Sequence, residues 1–136
     1  MTSREQMANT IRSLYAARVR GDLDAVMKDI AKDATFGLNG RGTGVPALAA
    51  ASKGEAAIRP IVQELINVWR FDDWTEHALL IDGERAMIHW SARATCIPTK
   101  RAEKLDVYDL ITFRDGKIVE FRQSTDTAMI MKLAAP

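Results

Sequence analysis

Apolar and polar residues alternate most regularly between Leu105 and Asp126. Because side chains of a strand point alternately to its two faces, this alternation predicts two long strands joined by a tight turn. The face of the first strand that carries Asp109 is otherwise apolar. Its other members are Leu105, Val107, Ile111 and Phe113. We therefore expect Asp109 to be a single ionisable group in an apolar wall.

The turn of this hairpin decides what Asp109 faces on the second strand. A two-residue Asp-Gly turn would pair Asp109 with Arg122, whereas a three-residue Arg-Asp-Gly loop with a glycine bulge would pair it with Phe121. Only the three-residue loop places Val119 and Phe121 on the apolar face, since a slip of one residue turns every side chain to the other side. The pattern therefore predicts Asp109 opposite Phe121, with Gln123 nearby.

Three further segments have apolar residues at helical spacing. The first helix begins at a capping box close to the N-terminus and ends near Gly21, and Asp22 caps the second. Ser52 and Glu55 repeat the capping-box pattern. They predict a third helix whose apolar face extends to Trp69.

In the rest of the chain, apolar and polar residues either alternate or follow no regular pattern. Residues 39–52 are rich in glycine and alanine, which predicts a long loop that is either a lid or a disordered insertion. We predict strands over 34–38, 73–82, 84–97, 104–114 and 117–125, and a short final helix over 127–133. Helices followed by neighbouring strands indicate one α+β domain over residues 1–136. In this fold three helices pack on a strongly curved, mostly antiparallel sheet, and the resulting cone encloses a central apolar pocket.

Composition and charge limit the kinds of partner. The net charge is +1 and no basic stripe stands out, which argues against nucleic acid as the main partner. No segment approaches the roughly 18 consecutive apolar residues of a membrane span. The single cysteine, Cys96, excludes an intrachain disulfide. We expect a cytoplasmic protein that does not bind membranes.

Three segments resemble a known family: RVRGDLDAVMKDIAKDATF, the helix start KGEAAI and the ending FRDGKIVEFRQSTD. Together they resemble SnoaL-like and ketosteroid-isomerase-like members of the nuclear-transport-factor-2-like superfamily across nearly the whole chain. The resemblance implies the cone-shaped fold. It leaves the activity open, because isomerases, cyclases, hydrolases, dehydratases and binding modules share that fold.

The resemblance assigns roles to individual positions. The general-base aspartate of ketosteroid isomerases matches Leu38, which cannot take a proton. Their helix-one tyrosine matches Leu14, one residue before Tyr15, and their protonated aspartate matches Asp109. The Arg and two Asp of limonene epoxide hydrolases match Trp90, Ala92 and Gln123, so that triad is absent. SnoaL-type cyclases, which rely mainly on one pocket acid, are the closest precedent.

We therefore predict a site around Asp109, with Gln123 and Tyr15 as the other groups that handle protons. Burial should raise the pKa of Asp109 and keep it neutral near pH 7. The alternative is a structural Asp109 held by a backbone amide, a Trp N–H or Arg18. The predicted ligand-contacting residues are Trp90, Phe121, Leu38, Leu14, Arg18, Trp69 and Ile111.

The predicted ligand is a small, largely apolar, carbonyl-bearing molecule. It is either the substrate of a cofactor-independent isomerase or cyclase, or the ligand of a non-catalytic binding or dimerisation module. We expect no metal site, because His77 and His89 look isolated from each other in the sequence. A homodimer is predicted through the outer sheet face, which carries large residues that water would solvate poorly. These are Met87, His89, Tyr108 and Leu110.

Overall fold

The computed structural model describes residues 1–39 and 51–136. Its helices are α1 (Arg4–Arg20), α2 (Leu23–Met27), α3 (Glu55–Val68) and α4 (Thr127–Ala134). Its strands are β1 (Ile30–Leu38), β2 (Ala51–Lys53), β3 (Trp69–Asp82), β4 (Arg85–Cys96), β5 (Ala102–Arg114) and β6 (Lys117–Thr125).

The described strands form one curved sheet in the order β2-β1-β6-β5-β4-β3. Neighbouring strands are antiparallel except β1 and β6, which are parallel. The helices pack against this sheet and enclose an apolar core. The predicted α+β cone is therefore confirmed. No helix within residues 1–39 and 51–136 is long and apolar enough to cross a membrane.

Helix α1 follows the predicted pattern closely. Ser3 and Gln6 form the capping box at its start, and Gly21 ends it in the left-handed conformation, with φ of 74°. Asp22 then caps α2 by accepting a hydrogen bond from the Ala25 amide. This corner turns the chain sharply and sets α1 across the inner face of the sheet. The buried residues of α1 are Met7, Ile11, Leu14, Tyr15 and Ala17.

The β5–β6 turn differs from the prediction. Arg114 pairs with Lys117, so the turn has two residues, and both Asp115 and Gly116 have positive φ. The register then shifts between Thr112 and Phe113. This shift is a β-bulge, in which one extra residue of β6 is left without a partner.

The bulge changes the partner of Asp109. Gln123, and not Phe121, lies opposite Asp109, while Phe121 lies opposite Ile111. The predicted pairing was wrong by two residues, an even number, so Phe121 is still on the buried inner face as predicted. Val119 was wrongly assigned to that face. Ile118 is fully buried there, because the bulge falls between it and the rest of the strand.

The start of α3 also differs from the prediction. Ser52 does not cap the helix, because it pairs with Phe36 as part of β2. Gly54 is the N-cap residue and makes no side-chain cap. Trp69 opens β3 and pairs with Cys96 instead of extending the helix. Most of the predicted lid, at 39–52, lies outside the described residues.

Candidate active site

A cavity of about 80 Å³ lies between the inner face of the sheet and the helices. For scale, a dry cavity of roughly 150 Å³ binds benzene in another protein, so a ring-sized ligand would require side chains here to move. Most of the lining is apolar. The polar side chains that line it belong to Tyr15, Arg18, Trp90, Gln123 and Thr125.

Most of the predicted site residues border this cavity. Three do not. Asp109 and Ile111 are fully buried behind the cavity wall. Leu38, near the end of β1, borders a separate surface groove with Asn39 and Arg122. The predicted residues that line the cavity are Leu14, Tyr15, Arg18, Trp69, Trp90, Phe121 and Gln123.

Asp109 is the centre of a buried hydrogen-bond cluster. The Tyr15 hydroxyl donates a hydrogen bond to its Oδ2 atom. Trp90 Nε1 and Gln123 Nε2 donate to the same oxygen, at 2.8 Å and 3.3 Å. Oδ1 is buried and has no hydrogen-bond partner among the described residues. Three side chains that line the cavity therefore converge on one carboxyl group behind it.

The backbone explains this convergence. Asp109 lies on the inner face of β5, where Gln123 of β6 is its direct cross-strand partner. Trp90 of β4 pairs with Val107, two residues along the same face. Tyr15 reaches the carboxyl from α1 across the core. The resemblance placed the helix-one tyrosine at Leu14, but it is Tyr15 that contacts Asp109.

Burial raises the pKa of Asp109 to about 6, although the hydrogen bonds from Trp90, Tyr15 and Gln123 lower it. This pKa lies above the usual range of an aspartate but below 7, so it favours the ionised form at pH 7 and does not support the expectation of a neutral acid. Burial and the nearby Asp109 raise the pKa of the Tyr15 hydroxyl well above its usual value. In the hydrogen bond between Tyr15 and Asp109, the proton therefore stays on the Tyr15 oxygen at neutral pH.

An aromatic wall surrounds Tyr15. Its ring stacks on Trp74 with centroids 5.2 Å apart, and it lies 5.4 Å from Trp90. Phe71 meets Trp90 edge to face at 5.2 Å and also lines the cavity. Phe71 was not predicted as a site residue, because the strand was predicted to begin at residue 73. Thr125 was missed as well, although its hydroxyl is buried without a partner among the described residues.

Arg18 lies one turn beyond Tyr15 on α1. Its Nη2 atom donates to the carbonyl oxygens of Leu65, at 3.0 Å, and Trp69, at 2.7 Å. Its guanidinium carbon lies 4.4 Å from the centre of the Phe71 ring. Burial lowers the pKa of Arg18 to about 10. Arg18 does not hold Asp109, so among the predicted alternatives the Trp N–H is the one observed.

The outer sheet face corrects the prediction for the two histidines. His77 and His89 are neighbours, with ring centroids 4.7 Å apart, and His89 bonds Asp106 at 2.9 Å. The reason is a bulge at His77 in β3, which turns its side chain to the outer face. The atoms of His77, His89 and Asp106 that could bind a metal ion lie within 4.8 Å of one another. Two ligand atoms that bind the same zinc ion, each about 2 Å from it, lie roughly 3.3 Å apart, so the spacing of this cluster is wider than that of a zinc site.

The comparisons with known proteins concern the family and the fold. Residues 11–121 match the SnoaL-like domain family. No curated protein matches the chain in sequence.

Several solved structures share the fold. An NTF2-like protein from Burkholderia pseudomallei is 21% identical, with a TM-score of 0.83 and 100% of both chains covered. A Bacillus subtilis protein provisionally named an isomerase is 18% identical, with a TM-score of 0.87, covering 98% of this chain and 95% of the other. A Xanthomonas campestris protein provisionally named a polyketide cyclase is 19% identical, with a TM-score of 0.78 and coverages of 97% and 98%. The chain belongs to the SnoaL-like domain family.

Proposed function

We propose that this protein binds a small, largely apolar, carbonyl-bearing molecule in its cavity and catalyses a cofactor-independent isomerisation or cyclisation. The observation that carries the proposal is the contact between the Tyr15 hydroxyl, at the cavity wall, and the buried Asp109. A proton acceptor with a pKa of about 6 is suited to reversible proton transfer near neutral pH. Relatives named as an isomerase and a polyketide cyclase add a precedent for the fold.

The proposed step is a proton relay. The Tyr15 oxygen takes a proton from the carbon next to the ligand carbonyl, while the Tyr15 hydroxyl proton moves to Oδ2 of Asp109. The electron pair of the broken C–H bond forms an enolate. Where this enolate is conjugated with a C=C bond, the Tyr15 oxygen gives its proton to the far carbon of the conjugated system while Asp109 returns a proton to the Tyr15 oxygen, which completes an isomerisation. Tyr15 is the catalytic residue in this scheme. Asp109 positions it and holds its proton, and Gln123 donates a hydrogen bond to the same oxygen of Asp109.

Hydrogen–deuterium exchange at carbon tests this relay without knowledge of the substrate. A panel of small cyclic ketones and enones is incubated with the protein in deuterated buffer, and deuterium incorporation is followed by mass spectrometry. Tyr15→Phe removes the hydroxyl and should slow exchange at least tenfold, within the range of general acid–base catalysis. Tyr108→Phe is a matched control, because Tyr108 lies on the outer face and is 49% exposed. Equal exchange rates for the Tyr15→Phe variant and the wild type would refute the relay.

A non-catalytic small-molecule-binding module is the second candidate. Among the described residues, no carboxylate or histidine lines the cavity itself. A ligand that binds but shows no exchange above the buffer rate would favour this alternative. The same panel therefore separates the two functions.

We also propose that a second copy of the chain covers the outer sheet face. Leu80 is 66% exposed and Met87 38% exposed there, beside Tyr108. The ring of Tyr108 stacks on His89 with centroids 4.3 Å apart, which gives the patch a flat, rigid centre. A two-fold interface uses the same patch on both subunits, so one sheet face is sufficient to form a dimer.

A further inference from the structure

Arg18 is a positive charge at the cavity wall, and within residues 1–39 and 51–136 it has no negative partner. No carboxylate of the described residues lies within ion-pair distance of it, and burial alone accounts for its lowered pKa. Two other arginines of α1 have a counter-charge: Arg12 pairs with Glu76 at 3.0 Å, and Arg20 pairs with Asp22 at 3.4 Å. Arg4 is exposed and donates to the carbonyl oxygen of Ile81. Arg18 is therefore the arginine of this helix that faces the interior without a counter-charge.

Part of the charge is compensated locally. The carbonyls of Leu65 and Trp69 accept from Nη2 at the C-terminal end of α3, where partial negative charge favours a cation. These two bonds use the donors of Nη2 only, and a guanidinium has further N–H groups on Nε and Nη1. Those groups make no hydrogen bond to the described residues. A bidentate acceptor such as a carboxylate matches free guanidinium donors better than any neutral group.

We propose that the ligand of this cavity is a carboxylic acid bound as its anion, with the carboxylate paired to Arg18. The inference rests on the proposed function, because it concerns the same cavity. Thr125 supports it, since this lining residue has a buried hydroxyl without a described partner, available to donate to an oxygen. Residues at positions i and i+3 of a helix lie on the same face, so Arg18 would hold the acid beside Tyr15.

The charges of the site also set the orientation of the ligand. Asp109 is mostly ionised at pH 7, so the cluster behind Tyr15 repels a carboxylate. Arg18 attracts it. The anion therefore binds at Arg18 and leaves the apolar part of the ligand, with its reactive carbon, against Tyr15 and Trp90. A substrate of this kind is a small oxo acid.

Two matched pairs of probes test the inference: butyrate against butyramide, and benzoate against benzamide. Each pair conserves shape but differs in charge. Dissociation constants are measured by NMR titration of the full chain at pH 7. The wild type should bind each acid at least about tenfold more tightly than its amide, the effect expected of a charge-assisted hydrogen bond.

Arg18→Gln keeps hydrogen-bond donors and removes the charge, so it should abolish the preference for acids while amide binding stays within about twofold. Arg18→Lys should retain part of the preference, because it keeps the charge. Arg12→Gln is the control, since it removes the same charge from the same helix outside the cavity. If Arg18→Gln fails to fold, the wild-type ratio and the lysine variant still decide the question.

Equal binding of acid and amide to the wild type, or an acid preference that survives in Arg18→Gln, would mean that Arg18 only tethers α3. If neutral cyclic enones bind while neither acid does, the inference fails and the proposed function stands. If no probe of either kind binds, both fail.

Discussion

Asp106 and Asp109 lie on the same strand, three residues apart and on opposite faces, and their environments differ completely. Asp106 is exposed, and its hydrogen bond from His89 lowers its pKa. Asp109 is fully buried, and burial raises its pKa to about 6 despite three hydrogen-bond donors. The alternation of the strand alone produces this contrast. A carboxyl group of this sheet therefore becomes a proton acceptor near neutral pH only on the inner face.

The largest effect expected from this comparison is on the way the free energy of unfolding depends on pH. The folded state binds the Asp109 proton more tightly than the unfolded state, so this group stabilises the fold fully below about pH 4. That contribution is lost as pH rises through 6. The shift from 3.8 to about 6 corresponds to about 3 kcal/mol. When Asp109→Asn is unfolded with urea between pH 4 and 7, its free energy of unfolding should not show this decline.

Asp106→Asn is the control for that measurement. The pKa of Asp106 is lowered in the folded state, so its contribution is present above its unfolded pKa and is lost only as pH falls through the folded one. The control should keep the wild-type decline between pH 4 and 6. A parallel decline in Asp109→Asn would show that another group causes it.

Loss of one hydrogen-bond donor should raise the pKa of Asp109 further. Trp90→Phe removes the 2.8 Å hydrogen bond to Oδ2, so the pKa of Asp109 should rise above 6 by about one unit, as expected for a hydrogen bond to a charged group. Carbon-13 shifts of the Asp109 carboxyl across a pH titration measure this. Trp74→Phe is the matched control, because Trp74 stacks on the same tyrosine but its N–H has no described partner. The pKa should not move in that variant.

The two faces also differ in how far the sequence predicts them. Period-two alternation predicted the burial of Asp109, and Tyr15 and Arg18, which line the cavity, were among the predicted site residues. The cross-strand partner of Asp109 was missed, because a turn of two residues followed by a bulge replaces the predicted loop. Turn residues allow both registers, and pairing within the whole sheet decides between them. The error of two residues kept Phe121 on the correct face.

The bulge at His77 had the opposite consequence. It shifts β3 by one residue relative to β4, and a shift of one residue exchanges the faces. Without it, His77 would face Trp90 and the interior, far from His89. No turn residue marks this bulge in the sequence. A single unpaired residue therefore creates the histidine pair of the outer face.

The dimer proposal gives a smaller expected effect. Tyr108→Arg places a charge at the centre of the proposed interface, beside Met87 and Leu80, and should weaken self-association at least about tenfold, because an unpaired charge is costly to bury. Analytical ultracentrifugation over a range of concentrations measures the change. Glu5→Arg, on an exposed position of α1, is the control for added positive charge. A wild type that stays monomeric at high concentration would contradict the proposed interface.

The smallest effect is expected for the outer carboxyl itself. Asp106 accepts a hydrogen bond from His89, but its side chain is 54% exposed, so water and salt screen the pair. Asp106→Asn keeps an acceptor oxygen at the same position, and we expect the free energy of unfolding at pH 7 to change by less than about 1 kcal/mol. Asp109→Asn, by contrast, should stabilise the fold at that pH, because it removes a buried charge. Urea unfolding of both variants at pH 7 compares the two faces directly. Changes of equal sign and size would mean that burial does not separate the two carboxyl groups.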